Sequence, residues 1–410
     1  MNKEIIADVG KDEVKVGILE DGELVEFFVE RNLKERVAGN IYKGKVANVL
    51  CGMQAAFVDI GLEKNAFLYV DDINAESVGW DLKKQIGDII RPGQEVLVQV
   101  VKEPMGSKGA RVSANITLPG RFCVLMPAVD YVGISRRIEE EEERERLRAL
   151  AEELRPPRMG IIVRTAAKGK GKEELKADIE YLKNLWEEIR HKERKCDAPR
   201  LIYRDMDLLE RIVRDVFTPE VTRFYINSPE VFERITKIVS TSLPALRDRI
   251  TLYSGKVEIF KYFNIEAEIA KALCRKVWLK SGGYIVIDRT EALTAIDVNT
   301  GKFVGGKDLE DTVLKTNLEA AKEIARQIRL RDIGGIIVID FIDMNSQEHK
   351  KMVVDVLEME LKKDRTRVRV LGITPLGLVE MTRKKVRQSL DEILERVCPY
   401  CNGKGRIGSI

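Results

Sequence analysis

Ala292–Thr300, reading ALTAIDVNT, and Gly334–Met344, reading GGIIVIDFIDM, decide how this chain is read. Each takes an apolar, strand-like run straight into an aspartate, Asp297 in the first and Asp340 in the second. Between them, from about Asp308 to Arg331, Leu309, Val313, Leu314, Leu318, Ile324 and Ile328 recur at helical spacing, with Gly334 and Gly335 as the expected stop. Strand, helix, strand reads as one βαβ unit, whose right-handed crossover sets the two strands parallel with their carboxyl ends on one edge. Two carboxylates then converge where open α/β sheets bind ligands. Paired acids at the end of an apolar approach suit Mg²⁺, which takes oxygen ligands and keeps waters beside one or two carboxylates. Water on such a metal can attack a phosphodiester. The plainer alternative is that both aspartates merely end strands and cap the following turns.

Composition narrows the chemistry. The 410 residues exceed one compact core and predict several domains. Lys+Arg at 70 nearly cancels Asp+Glu at 67, so nucleic acid must be met by local patches. One basic run holds Arg365, Arg367, Arg369, Arg383, Lys384, Lys385 and Arg387 against Glu380 alone, although a solvated surface is the commoner fate of such runs. His191 and His349 are the two histidines, both in charged, helix-like surroundings, which disfavours histidine-pair acid–base chemistry. The N-terminus lacks the plan of a signal peptide and no apolar run approaches a membrane span, so the expected location is cytoplasmic. Cys51, Cys123, Cys196 and Cys274 are scattered and expected to be free, mostly packed thiols. Cys398 and Cys401 differ, because C-P-Y-C followed by Asn402, Gly403, Lys404 and Gly405 is a turn that aims two thiolates at one metal. A structural Zn²⁺ needs four ligands, and the simplest completion is the same motif of a second copy; a redox pair or unremarkable thiols are the alternatives.

Residues 3 to 30 alternate as a hairpin turning at Asp21-Gly22, the opening of an RNase H-like or actin-like sheet in which Asp8 is expected to be structural. From about Gly39 to Ile116 short strands alternate with Gly and Pro, predicting a small closed barrel. There Ala56, Val58 and Ile60 share one face, and Phe57 lies on the other with Asp59; Phe67 likewise opposes Ala66, Leu68 and Val70. Two aromatics on the polar side of a barrel, with Lys43 and Lys108 to meet phosphates, are suited to stacking single-stranded bases. Arg136–Glu153 reads as an intensely charged helix ended by Pro156-Pro157. A strand, MGIIVRT, then brings Arg164 and Thr165 to a glycine-rich turn as a candidate phosphate clamp without Walker A spacing. Residues 209 to 280 read as helix, strand FYIN, helix, strand KVEIF and helix.

The order of parts now carries a resemblance: an aromatic-bearing barrel, GISRRIE, IVRTA, SGGYIVIDRTEALTAIDVNTG, RLRDIGGIIVIDFIDM and CPYCNGKG. Nearly the entire chain resembles the catalytic half of the ribonuclease E/G family. The resemblance implies a multidomain α/β fold: an RNase H-like subdomain (1–35 and 209–278) with an inserted S1, OB-type, barrel (36–116), a 5′ sensor (117–208), a DNase I-like catalytic subdomain (279–394) and a zinc link (395–410). It assigns Mg²⁺ to Asp297 and Asp340 with Asn299 in support, and a 5′-monophosphate to Arg164 and Thr165 with Gly120 and Val124 beside them. Phe57, Phe67 and Lys108 match groups that hold RNA, as do Arg136 and Arg367, and Cys398 and Cys401 match a zinc site shared between protomers.

The expected activity is Mg²⁺-dependent cleavage of single-stranded, A/U-rich RNA to 5′-phosphate and 3′-hydroxyl ends, favouring 5′-monophosphorylated substrates, in RNA processing and decay. Because the chain stops at Ile410, soon after the CxxC, a homodimer is expected rather than a tetramer, and no membrane anchor. The rival readings are a non-catalytic RNA-binding scaffold and a metal phosphohydrolase or actin-like ATPase.

Overall fold

A computed structural model describes residues 2–31, 36–73, 85–104, 108–301, 309–401, 403 and 405. The chain divides into two units, one of residues 1–31 with 217–410 and one of residues 32–216.

The first unit begins with Lys3–Val9, Glu13–Glu20 and Glu23–Arg31, joined as antiparallel neighbours. Asp21 and Gly22, at φ of 49° and 83°, form the two-residue turn whose twist matches that of the strands. Val221–Ile226 and Ile250–Leu252 add parallel strands beyond Lys3–Val9. Asp8 is structural, as expected: Asn227 Nδ2 donates to its Oδ1 at 2.7 Å while Val9 N–H donates to Asn227 Oδ1 at 2.8 Å, tying two neighbouring strands. The expected strand at KVEIF is not formed. Ile259 and Phe260 are both buried, which strand alternation forbids and the short helix Ile259–Tyr262 allows; the strand is Ile250–Leu252 instead.

The second sheet of this unit carries the acids, in the order Lys276–Trp278, Tyr284–Arg289, Leu293–Asn299, Gly335–Asp340, Val379–Arg383 and Val368–Ile373. Leu293–Asn299 and Gly335–Asp340 pair parallel, linked by the helix Leu309–Leu330, which is the βαβ unit read from the sequence. Ile285, Ile287, Ile296, Val298, Ile337, Ile339, Val379 and Met381 project from one face into a core with Ala321, Ile324, Ile328 of that helix and Val353, Leu357 and Leu361 of Gln347–Leu361. Burying each large aliphatic side chain is worth roughly 1.5–3 kcal/mol, so this face fixes the register and hence where the acids stand.

The linking helix stops differently from expectation. Asp332, not a glycine, takes the left-handed position at φ 50°, and Ile333 N–H closes back on the Ile328 carbonyl at 3.1 Å. Its carboxylate is held in that posture by Arg383 and Arg387.

In the second unit Ile41–Leu50, Ala55–Asp59, Ala66–Tyr69, Arg111–Ser113 and Glu95–Lys102 form a sheet that closes on itself through pairing of the first and last of these, a five-stranded barrel with Arg200–Tyr203 appended. At Gly44 a Cβ would lie 2.5 Å from Val58, so only glycine permits that close approach. A separate sheet of Leu118–Pro119, Cys123–Met126, Gly160–Val163 and Val132–Ile134 packs against helices Glu141–Leu154 and Lys172–Arg194. The charged helix begins five residues later than the expected Arg136, at Glu141; Arg136 lies ahead of it, exposed.

Candidate active site

Asp297 and Asp340 are direct register partners on the two parallel strands. Alternation puts Thr294, Ile296 and Val298 inward and Ala295, Asp297 and Asn299 on the opposite, open face. Asn299 Nδ2 donates to Asp297 Oδ2 at 2.7 Å, fixing that carboxylate. Burial first, and then the negative charges of Asp297 and Asp343, push the Asp340 carboxyl above its ordinary value. Two acids held at neighbouring positions against their mutual repulsion form a donor set that a divalent cation relieves, and hard oxygen ligands suit Mg²⁺. Among the described residues no group of three or more His, Cys, Asp or Glu is placed to hold a metal ion.

One contributor escaped the sequence reading. Asn317, fully buried on the linking helix, donates to the Ile342 carbonyl at 2.8 Å and accepts from Ile342 N–H at 3.1 Å, anchoring the segment directly after Asp340. Its signal was available: an amide set between Leu314 and Leu318 in an apolar stripe must have a buried partner.

In the second unit Arg164 Nη1 donates to the Gly120 carbonyl at 2.5 Å and pairs with Asp215 at 2.7 Å. Thr165 Oγ1 and Ser135 Oγ lie 2.9 Å apart. Val124 pairs with Ile162 and so shares the face that Arg164 continues. Gly120 is required, since a Cβ there would sit 2.6–2.9 Å from the Asp178 carboxylate. That carboxylate accepts from the N–H groups of Arg121, Phe122 and Cys123 at 3.0, 2.8 and 2.9 Å, which holds the loop bearing Gly120. Against its own burial, Arg214 and then Arg164 keep the Asp215 carboxyl below the usual range. Asp178 was visible as an acid in the stripe of Leu175, Ile179 and Leu182; nothing near Arg164 in the sequence pointed to Asp215.

On the barrel Phe57 and Phe67 are direct cross-strand partners, half-buried, with ring centroids 5.9 Å apart and planes at 72°. Lys108 is exposed next to the stretch whose Ala110 carbonyl accepts from Phe67 N–H at 2.7 Å. Lys43 is otherwise engaged than expected: its Nζ donates to the Cys196 carbonyl at 2.8 Å and pairs with Glu95 at 2.8 Å.

Residues 117–386 match the family model described as "Ribonuclease E/G family". The chain is 45% identical over its whole length to ribonuclease G of Escherichia coli strain K12, covering 85% of that protein. The chain belongs to the ribonuclease E/G family. It is 46% identical to ribonuclease G of Haemophilus influenzae, with 99% of this chain and 84% of that protein covered. It is also 41% identical to ribonuclease E of the same organism, across 99% of this chain and 44% of that longer protein. As a family member it is an endoribonuclease acting in RNA processing, which sets aside the scaffold and ATPase readings.

On this ribonuclease E/G member's surface the basic run is mostly solvated, as expected, and the expectation of mostly packed thiols is corrected. The run also makes ion pairs: Arg383 is buried between Asp332 and Asp364, the latter at 2.7 Å, Arg365 pairs with Glu26, Arg387 with Asp332, and Lys385 with Glu392 at 3.1 Å. Arg367, Arg369 and Lys384 are exposed, as are the paired Arg365 and Lys385. Of the scattered cysteines only Cys123 is buried, with burial raising its thiol to about 12; Cys51 and Cys274 are exposed. No helix of the described residues is long and apolar enough to cross a membrane.

At the C-terminal turn, hydrogen bonds from the Cys401 and Tyr400 backbone and then the Cys401 side chain lower the Cys398 thiol below its ordinary value. Gly405 N–H donates to Cys401 Sγ at 3.3 Å. Backbone donors converging on two thiols in one tight turn fit half of a tetrathiolate zinc site. The rest of the tail, including Lys404, lies outside the described residues.

Proposed function

We propose that Asp297 and Asp340 hold Mg²⁺ for hydrolysis of single-stranded, A/U-rich RNA, leaving 5′-phosphate and 3′-hydroxyl ends. A cation bound there would supply Lewis acidity at the scissile phosphate and a water of lowered pKa. The protein's part is positional: Asp297 is fixed by Asn299, Asp340 is fixed by strand register and by the Asn317 tie behind it. The observation that carries this reading is the pairing of the two acids in register on one open sheet face.

Arg164 and Thr165, with Gly120 and Val124, take the 5′-monophosphate. Arg164 is preorganised by Asp215, so an arriving phosphate exchanges one anionic partner for another. Phe57, Phe67 and Lys108 hold bases and backbone of the strand, and Arg136 and Arg367, both exposed, add contacts to phosphates. The test is one unstructured oligonucleotide carrying either a 5′-monophosphate or a 5′-hydroxyl, cleaved in Mg²⁺ and in EDTA. Chelation stops cleavage of both. In Mg²⁺ the monophosphate is cut roughly tenfold faster, the size of a charged hydrogen bond, and Arg164→Ala levels the two rates. Equal rates with the unaltered protein would reject the clamp.

Cys398 and Cys401 supply two thiolates, and a second copy the other two, to a Zn²⁺ that links a homodimer. Replacing both by serine is expected to halve the mass measured by light scattering. An oligomer indifferent to the replacement and to zinc removal would give the thiols another role.

A further inference from the structure

The open face that carries the acids also carries an aromatic cluster that no part of the proposed chemistry uses. Antiparallel register places Trp278 opposite Tyr284 and Tyr284 opposite Asn299, so these three form one transverse row of the sheet. The neighbouring row reads Lys276, Val286, Asp297, Asp340. Val277 and Ile285 point into the core, which puts Lys276, Trp278 and Tyr284 on the acids' side. Trp278 is 60% exposed, its ring 5.4 Å from that of Tyr284 at 63°. Lys276 Nζ stands 4.0 Å from the Trp278 centroid and 3.5 Å from that of Tyr284.

An indole exposed to this degree leaves its apolar burial unused, and the cluster is already arranged. Tyr284 props Trp278 edge to face, and Lys276 is held by both rings. At about 4.8 Å per strand, Trp278 lies about 10 Å from Asn299, and Lys276 a like distance from Asp297. A cation and an exposed indole beside paired acids are complementary to one nucleotide: base on the indole face that Lys276 does not cover, phosphate on the ammonium.

We propose that Lys276, Trp278 and Tyr284 form a subsite that stacks one base of the single-stranded RNA flanking the scissile phosphate. This rests on Asp297 and Asp340 marking the place of cleavage, and it extends the substrate track onto the catalytic sheet. Stacking on a π-face is tolerant of base identity, so the subsite contributes grip and register rather than sequence choice.

The experiment pairs a protein change with a substrate change. Oligonucleotides bearing a single abasic nucleotide, scanned through the positions on both sides of the cleaved bond, are titrated by anisotropy against Asp297→Asn protein with and without Trp278→Ala. At one position the abasic substitution is expected to weaken binding roughly tenfold or more for the parent and not at all for Trp278→Ala, with Trp278→Phe restoring most of the difference. In cleavage-competent protein the same change should appear in KM more than in kcat. Abasic losses identical in parent and Trp278→Ala at every position would overturn the subsite. So would a Trp278→Ala protein that binds RNA normally but changes mass, since the face would then join two copies of the chain. Because the titration reads binding alone, it stands or falls separately from the metal role of Asp297, which the cleavage rate of Asp297→Asn decides.

Discussion

Asp297→Asn should fold as the unaltered protein does, bind single-stranded RNA with little loss, and cleave it at least about 10³-fold more slowly. That factor corresponds to about 4 kcal/mol at 1.36 kcal/mol per decade. Folding is spared because Asp297 is exposed on the open sheet face, while the register beneath it is set by Ile296 and Val298. The amide keeps the shape of the carboxylate and removes its charge, and with that a ligand for a cation. Asn299 would then face an amide rather than an anion, so the position of the side chain is loosened as well. Asp288→Asn is the fitting control: it lies on the same face, opposite Ala295, but pairs with Arg275 and should leave the rate within about twofold. Single-turnover cleavage beside circular dichroism separates the two effects.

Glu26→Gln should destabilise the unit of residues 1–31 and 217–410 by roughly 3–5 kcal/mol, the range for removing one partner of a buried ion pair. Glu26 sits on the strand Glu23–Arg31, nearly buried, and meets Arg329 of the linking helix at 3.1 Å and Arg365. Arg329 is itself buried and reaches Glu20 at 3.0 Å. Glutamine would leave those guanidinium groups facing a neutral amide in a poorly hydrated place. Against a large burial penalty, the charges of Arg365 and then Arg329 bring the Glu26 carboxyl down to about 2 from 4.5. A carboxyl whose folded value is depressed contributes stability at pH above its unfolded value and loses it as pH falls toward the folded one. The unaltered protein should therefore lose stability between about pH 4.5 and pH 2 by an amount that Glu26→Gln no longer shows. Urea denaturation at pH 7 and at about pH 2.5 measures both effects, and equal midpoints for the two proteins at pH 7 would contradict the assignment.

Local pattern and long-range partnership divide what could be read beforehand. Asp297 and Asp340 were legible because strand, helical stripe and strand are each local, and the βαβ rule then supplies parallel pairing without knowledge of any contact. The faces of Phe57 and Phe67 were legible for the same reason, since period-two alternation needs only neighbours. The ion pairs of the basic run between Arg365 and Arg387 were not legible because its neutralising acids, Glu26, Asp332 and Asp364, come from outside that stretch. Asp215 is invisible beside Arg164 for the same cause. KVEIF carries strand-like residue types, yet consecutive burial of Ile259 and Phe260 in a core shared with Ile6, Leu19 and Phe27 overrode propensity. Trp278 stands on a three-residue edge strand too short to show a period, so its place in a row with Tyr284 and Asn299 emerges only from register.

Whether one divalent cation is shared by Asp297 and Asp340 can be read from a titration with Mn²⁺ followed by its electron paramagnetic resonance signal. The unaltered protein should take up one Mn²⁺ per chain, displaced by Mg²⁺, and the double variant Asp297→Asn with Asp340→Asn should lose that binding while remaining folded. Undiminished Mn²⁺ uptake by the double variant would mean that the paired acids are not where the metal is held.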